Sequence, residues 1–291
     1  MSKCQSIRPQ WLRVQAPTGE KFAKLHQLLR QERLHTVCSS AACPNMGECW
    51  NAGTATFMIL GNQCTRACRF CQVQSKLRPA PPDLNEPERL VNSALTMELK
   101  HVVITSVARD DLADGGANQF ARCLSLLKER ARHMSSEVLV PDFLGDESSI
   151  ALVSDQNPNI FNHNLETVRR LTPKIRSGAQ YDRSLLVLKT AKKLNPQQQT
   201  KSGLMLGLGE QDEEIVQALQ DLRSNDCDQL TLGQYLRPSP WHHPVERYVT
   251  PEKFADFGAL AKTLGFAHVE SGPLVRSSYH AERGVYAQVS H

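Results

Sequence analysis

The stretch Thr54–Gln74 constrains this chain more than any other. β-Branched and apolar residues run from Thr54 to Leu60, which predicts a buried strand stopped by Gly61 and Asn62. Cysteines begin directly after it, so their thiols sit on a loop at the carboxyl end of a strand. Cys64, Cys68 and Cys71 are spaced C-x3-C-x2-C, which lets one short loop wrap a single inorganic cluster and give it three thiolates. A [4Fe-4S] cluster is normally held by four. Three leave one iron free for an outside ligand, as a catalytic metal keeps an open position. The spacing therefore predicts a reactive cluster rather than an electron relay, with Phe70 as the aromatic expected to cover it and limit solvent access. A structural zinc site is the competing reading. Zinc loops usually add a second C-x2-C pair or histidines, and no such second pair follows here.

A chain of 291 residues with 40% hydrophobic content buries a large core, and α/β barrels of this size are routinely one domain. No apolar run approaches membrane length, and MSKCQSIRPQW at the start lacks the apolar core of a signal peptide, so a soluble, cytoplasmic protein with no membrane partner is expected. Nine cysteines in a reducing compartment argue for metal or redox chemistry before disulfides, and six of them fall between Cys38 and Cys71. The net charge of +4 comes without a Lys/Arg tract, so no nucleic-acid partner is indicated; an acidic protein partner fits better.

Before the first strand, Cys38, Cys43 and Cys49 form a second triplet, C-x4-C-x5-C, with Pro44, Asn45 and Gly47 supplying turns. A second three-thiolate cluster is implied; a zinc knuckle is the alternative for this triplet taken alone. The N-terminal arm holds Trp11, Pro17 and an amphipathic stretch, Glu20 to Glu32, with Phe22, Leu25, Leu28 and Leu29 at helical spacing. Cys4 reads as a free thiol, and Cys123 and Cys227 as small core residues. After a proline-rich connector at 77–83 the chain alternates. Strands are expected at 54–60, 101–107, 137–143, 158–162, 202–208 and 228–236. Helices are expected at 86–99, 117–132, 147–154, 165–171, 182–194, 211–223 and 251–264. Strand–helix alternation means a parallel sheet with right-handed crossovers, and six units make a partial (β/α)6 barrel of TIM-like α/β class. The expected division is an arm with a cysteine loop at 1–53, the barrel at 54–265 and an extension at 266–291.

In such folds the loops after the strands build the site. Gly115 and Gly116 precede a helix whose amino end favours an anion, although a bare Gly-Gly is often an ordinary turn. Asn162, His163, Asn164 and Glu166 follow the fourth strand and offer amides and a carboxylate; the alternative is a helix cap, with Asn164 at the N-cap. Arg176 pairs either with a ligand carboxylate or with a surface acid. GLMLGLGE at 203–210 ends in glycines that allow close approach, with Glu210 at a helix start; without a following Gly-Lys-Ser/Thr it is not a phosphate loop. Gln234, Tyr235, Arg237, His242 and His243 lie near where a substrate enters, and the histidines are assigned no catalytic role.

The two triplets in this order resemble the lipoyl synthase family of the radical S-adenosylmethionine (SAM) superfamily. The resemblance covers nearly the whole chain and includes CPNMGECW at 43–50, CTRACRFC at 64–71, DDLADGGANQF at 110–120, FNHNLETV at 161–168, GQYLRPS at 233–239 and RSSYHA at 276–281. One departure is Ala108, where the family usually has aspartate. The resemblance implies two [4Fe-4S] clusters per chain. At the first, an open iron takes the amino and carboxylate groups of SAM and reduces it to methionine and a 5′-deoxyadenosyl radical. It further implies the methionine end of SAM at Gly115 and Gly116, ribose or amine contacts at Asn164 and Glu166, and adenine near Glu210. The second cluster would be closed by a serine of R-S-S-Y, which maps to Ser277 or Ser278, with Ser278 preferred. It would give up its sulfur at C6 and C8 of an octanoyl chain. The partners implied are an octanoylated lipoyl carrier domain or glycine cleavage H protein, and an electron donor such as flavodoxin or ferredoxin. A biotin synthase or methylthiotransferase would share the first triplet but not the second. A non-enzymatic iron–sulfur carrier would complete four cysteines per cluster.

Overall fold

The computed structural model describes residues 8–13, 20–40, 43 and 45–286, with backbone alone for 20–25, 40 and 286. Cys4, Pro17 and Pro44, and the side chains of Phe22 and Leu25, lie outside what is described. Six parallel strands run in chain order across one sheet: Thr54–Ile59, His101–Ser106, Ser135–Leu139, Ile160–Asn162, Gln199–Leu206 and Gln229–Gln234. Each is followed by helical segments that return the chain to the starting end, as parallel pairing demands. The apolar faces of strands and helices pack together, for example Phe57, Ile104, Phe120 and Leu124 in the first half and Leu206, Leu219, Leu232 and Phe254 in the second.

Four features depart from the expected plan. A seventh parallel strand, His268–Gly272, pairs with the sixth, and a two-residue strand, His35–Thr36, pairs antiparallel with the first. These two edge strands do not pair with each other, so the barrel is split. The segment Val37–Asn51 is partly helical rather than a loop: Val37–Ser40 and Met46–Asn51 are short helices. The helix expected at 165–171 does not form. Glu166 adopts φ +65°, outside helical space, and bridges to the fifth strand: its N–H donates to the Gly203 carbonyl at 2.8 Å and its carbonyl accepts from Met205 at 2.9 Å. A helical turn follows only at Thr172–Ile175. Among the described residues, no helix is long and apolar enough to cross a membrane.

After the seventh strand the chain turns back across the sixth. Gly233 permits this, because a Cβ there would stand 2.1 Å from the Val275 carbonyl oxygen. The tail then descends toward the amino ends of the strands, where Thr54 donates to Glu282 at 2.9 Å and Gln229 donates to the Gly284 carbonyl at 3.0 Å. Gly233→Ala is expected to cost about 1–3 kcal/mol, the usual range for overpacking. Thermal unfolding should report the loss, and amide exchange should place its first effect in residues 273–286.

Candidate active site

The first cysteine loop is built at the carboxyl end of the first strand. Leu60 and Gly61 turn the chain with φ +66° and +82°, and the Leu60 N–H donates to the buried Glu86 carboxylate at 2.8 Å. The loop closes on itself where Gln63–Cys64 pairs with Gln74–Ser75 and where the Cys71 N–H donates to the Cys68 carbonyl at 3.0 Å. Arg66 then pins it to the neighbouring strand ends, donating to Asp110 at 2.7 and 2.8 Å and to Asp142 at 2.6 Å. Burial pushes the Asp142 carboxyl up, but Arg66, with His163 and Arg183, holds it well below the usual range. Thr65 donates through its N–H and its hydroxyl to the Ala108 carbonyl, at 2.9 and 3.0 Å. The anchor at position 108 is therefore backbone, and the alanine in place of aspartate leaves it intact.

The structure brings Cys64, Cys68 and Cys71 together, half-buried and within electrostatic reach of one another. Burial, then the neighbouring thiols, pushes Cys71 up to about 11; burial also raises Cys68, against the opposing charge of Arg176. Such thiols ionise when a cationic metal takes the place of their protons. Backbone N–H groups are already aimed at the sulfurs: Arg66 at Cys64 (3.4 Å), Ser177 at Cys68 and Val73 at Cys71. Hydrogen bonds of this kind tune iron–sulfur ligands. Among the described residues no three Cys, His, Asp or Glu side chains close around a single-ion position. Three thiols on one loop, each with a backbone N–H donor, fit the ligand set of a [4Fe-4S] cluster.

Beside these thiols stand Glu166, Asn164 and Arg176. Arg176 is buried and donates to the Leu165 carbonyl at 3.2 Å and to Ser184 at 2.8 Å, so it is not a surface ion pair. Its charge faces Glu166 and Cys68. Burial raises the Glu166 carboxyl, opposed by Arg176 and by a 3.1 Å bond from the Asn164 amide. Asn164 caps no helix, contrary to the alternative above; it reaches across Gly203, where a Cβ would stand 2.9 Å from its Oδ1. His163 is a buried brace between Val140 and Ser184.

Three expected cofactor contacts find partners within the chain itself. Gly115 and Gly116 take φ +58° and +92°, and a Cβ on them would meet Phe143 and Leu60; the helix end beyond them is capped by Asp114, which accepts from Gly116 and Asn118. Glu210 spends both carboxylate oxygens on the Gly207 and Leu208 N–H groups, at 2.6 and 2.9 Å. It shapes the loop after the fifth strand. Phe70 is half-buried and packs on the apolar cluster of the later strands. Residues assigned no catalytic role from the sequence also enter. His242 Nε2 contacts the Cys71 carbonyl at 3.0 Å, and the His243 backbone N–H donates to the Arg69 carbonyl at 2.9 Å while its Nε2 contacts the Leu208 carbonyl at 2.9 Å, so both histidines brace the cluster loop. Arg109 is buried and bidentate to Asp111, with its Nη1 lacking a hydrogen-bond partner.

The second triplet also converges. Cys38 and Cys49 lie on the two short helices, and Cys43 is tied back by its N–H to the Cys38 carbonyl at 2.9 Å. Burial first, then mutual repulsion, pushes Cys38 up to about 11 and Cys49 to about 12; burial raises Cys43, opposed by Arg276. Thr56 of the first strand hydrogen-bonds Cys38, and the His280 N–H hydrogen-bonds Cys49. The C-terminal segment covers this triplet: Asn45 donates to the Leu274 carbonyl at 2.7 Å, and His280 pairs with Glu48 at 3.2 Å. Ser277 is engaged elsewhere, between Asn162 (3.1 Å) and Asn164 (3.0 Å). Ser278 lies in the chain between Arg276, which faces Cys43, and His280, which faces Cys49. The spacing of the cysteines carried no signal for Arg276, because only the returning tail brings it there.

The radical SAM superfamily model matches residues 58–222, and that of the N-terminal domain of lipoyl synthase of the radical SAM family matches residues 2–43. A lipoyl synthase of Methylobacillus flagellatus is 52% identical over 94% of this chain and 85% of its own length. One from Chlorobaculum tepidum is 50% identical over 94% of both. The chain belongs to the lipoyl synthase family. Among solved structures, a methylornithine synthase superimposes with a TM-score of 0.56 at 16% identity over 85% of this chain and 81% of that one. The hydrogenase maturase HydG of Carboxydothermus hydrogenoformans gives 0.59 at 11% identity over 92% and 68%. These two share the fold alone. Lipoyl synthases are radical SAM enzymes that insert sulfur, so SAM and a [4Fe-4S] cluster belong to this chain's chemistry. The biotin synthase and non-enzymatic carrier readings are set aside by identity over nearly the full length.

Proposed function

We propose that this chain inserts sulfur at C6 and C8 of an octanoyl group carried on a lysine of a lipoyl carrier domain or glycine cleavage H protein, in the cytoplasm. An electron donor such as flavodoxin or ferredoxin serves it. The observation that supports this best is the presence of two separate thiol triplets, each one ligand short of four. One lies on the loop after the first strand. The other lies under the C-terminal segment.

Hydrogens on unactivated methylene carbons have no useful acidity, so an acid–base side chain cannot remove them. When bound, SAM and the cluster at Cys64, Cys68 and Cys71 supply the radical chemistry for that removal, and a second cluster at Cys38, Cys43 and Cys49 supplies the sulfur. The chain's own residues do the rest. Glu166 and Asn164 present a carboxylate and an amide toward an amine or ribose, and Arg176 sets a positive charge beside Cys68 for a ligand carboxylate. Gly115 and Gly116 hold the left-handed turn after the second strand tight against Phe143 and Leu60, and Phe70 packs beside the cluster loop. Arg276 offsets the thiolate charge at Cys43, and Ser278 is the fourth ligand at the second triplet. A serine alkoxide is a poorer and more exchangeable iron ligand than a thiolate, which makes that corner the labile one. On this reading residues 1–53 carry the donor cysteines and the barrel starts at 54, but its seventh strand, His268–Gly272, moves the start of the closing segment from the expected 266 to 273. Iron and sulfide counting after anaerobic purification tests it: about eight irons per chain are expected, four for each cluster. Four or none would overturn the two-cluster reading.

A further inference from the structure

We infer that Ser277, the serine not assigned to iron, is a positioning residue that pins the sulfur-donor site to the radical site. This rests on the two-cluster reading above. The Ser277 hydroxyl accepts from the Asn162 amide at 3.1 Å and donates to the Asn164 Oδ1 at 3.0 Å. Both asparagines are buried and belong to the barrel. Asn162 is fixed from below, donating to Glu137 at 2.7 Å, and Glu137 is paired with Lys201 at 3.0 Å. Asn164 is fixed on its other side, donating to Glu166, whose carboxylate faces Cys68 and Cys71. One amide thus touches both halves of the enzyme.

The tail is also held to the sixth strand by its backbone, where the Pro273 carbonyl accepts from the Gln234 N–H at 3.3 Å. Arg276 and His280 face Cys43 and Cys49, on either side of Ser277 and Ser278. Gly233 lets Val275 lie close over the sixth strand, and from there Ser277 is the side chain that reaches the fourth. With its hydroxyl removed, the Arg276–His280 segment keeps its backbone turn, where the Tyr279 N–H donates to the Arg276 carbonyl at 2.9 Å, but loses its register against Asn164. Ser278 then meets the second triplet in a spread of positions. Sulfur transfer, which demands alignment of a carbon with a donor, suffers more than SAM cleavage, which does not.

The test compares holoenzyme carrying Ser277→Ala with Ser277→Thr and the parent, using SAM, reductant and octanoylated carrier. For Ser277→Ala, 5′-deoxyadenosine formation should persist, while the ratio of 5′-deoxyadenosine to lipoyl product rises about tenfold, the order expected from losing two hydrogen bonds. The Mössbauer signature of the second cluster should broaden with its iron count unchanged. Amide exchange at residues 274–280 should quicken even in cluster-free protein. Threonine, which keeps the hydroxyl, should restore all three. An unchanged ratio with unchanged exchange would overturn the assignment, as would equal loss of cleavage and product. Loss of iron from the second triplet in Ser277→Ala, but not in Ser278→Ala, would make Ser277 the ligand itself and overturn it too. Should the parent make no lipoyl product, the reading beneath has failed, and the exchange measurement still decides whether Ser277 holds the tail.

Discussion

Replacing Cys64, Cys68 and Cys71 together with alanine should abolish formation of 5′-deoxyadenosine and leave about four irons per chain, held by the other triplet. The anchors of the first loop do not pass through its thiols. Arg66 holds Asp110 and Asp142, Thr65 holds the Ala108 carbonyl, and the Arg69 N–H donates to the Ile175 carbonyl at 2.8 Å. The thiols themselves are half-buried, so truncation opens no deep cavity. The variant should therefore fold, and its failure should be chemical. The second triplet shares no residue with this loop: Cys38 and Cys49 are carried on Val37–Ser40 and Met46–Asn51, Cys43 lies between them, and the tail covers all three. Residual 5′-deoxyadenosine in the triple variant would sink the assignment of the radical site.

The strands that build the barrel were legible because apolar, β-branched runs such as Thr54–Leu60 carry their own punctuation. The seventh strand was not. His268–Gly272 reads HVESG, half-buried throughout, with a glutamate in the middle and no apolar run to announce it. Its place is set by pairing with the sixth strand. Glu166 shows the converse failure. FNHNLETV has the composition of a capped helix start, yet Glu166 pairs with Leu204 and turns left-handed. A bridge to a residue 38 positions away leaves no trace in local pattern.

At the candidate site, the convergence of each cysteine triplet was legible because a short segment must bring its own thiols together, so spacing is geometry. Polar helpers are another matter. Asn164 and Arg176 were named as candidates for ligand contact, and the structure shows what fixes them in place: Gly203 beneath one, Ser184 and Leu165 around the other. Gly115 and Gly116 were read through a cofactor, whereas the shape of their own turn already requires glycine. Arg276 and Ser277 reach their places only through a tail that crosses the sixth strand at Gly233. Nothing near them in sequence points to Cys43 or Asn164.

The division of labour between the triplets gives the second large effect. Replacing Cys38, Cys43 and Cys49 with alanine removes the proposed sulfur donor and the Thr56 contact to Cys38, but leaves the loop at 61–74 and its anchors in place. The variant should still form 5′-deoxyadenosine, more slowly, and yield no thiolated octanoyl product. These thiols are better buried than the first set, two of them below a tenth exposed, so some stability is lost as well. Lower thermal stability is therefore expected, and the comparison is made per folded chain. In the parent enzyme, sulfur drawn from its own cluster limits the yield to about one lipoyl group per chain unless the cluster is rebuilt, since each product takes two sulfides of four and leaves a fragment with too few thiolates to hold it. Isotopic labelling of the cluster sulfide reads this directly, because the first product should carry the label. Repeated turnover with no source of iron or sulfide, or label from free sulfide in the first product, would show that Cys38, Cys43 and Cys49 have some other task.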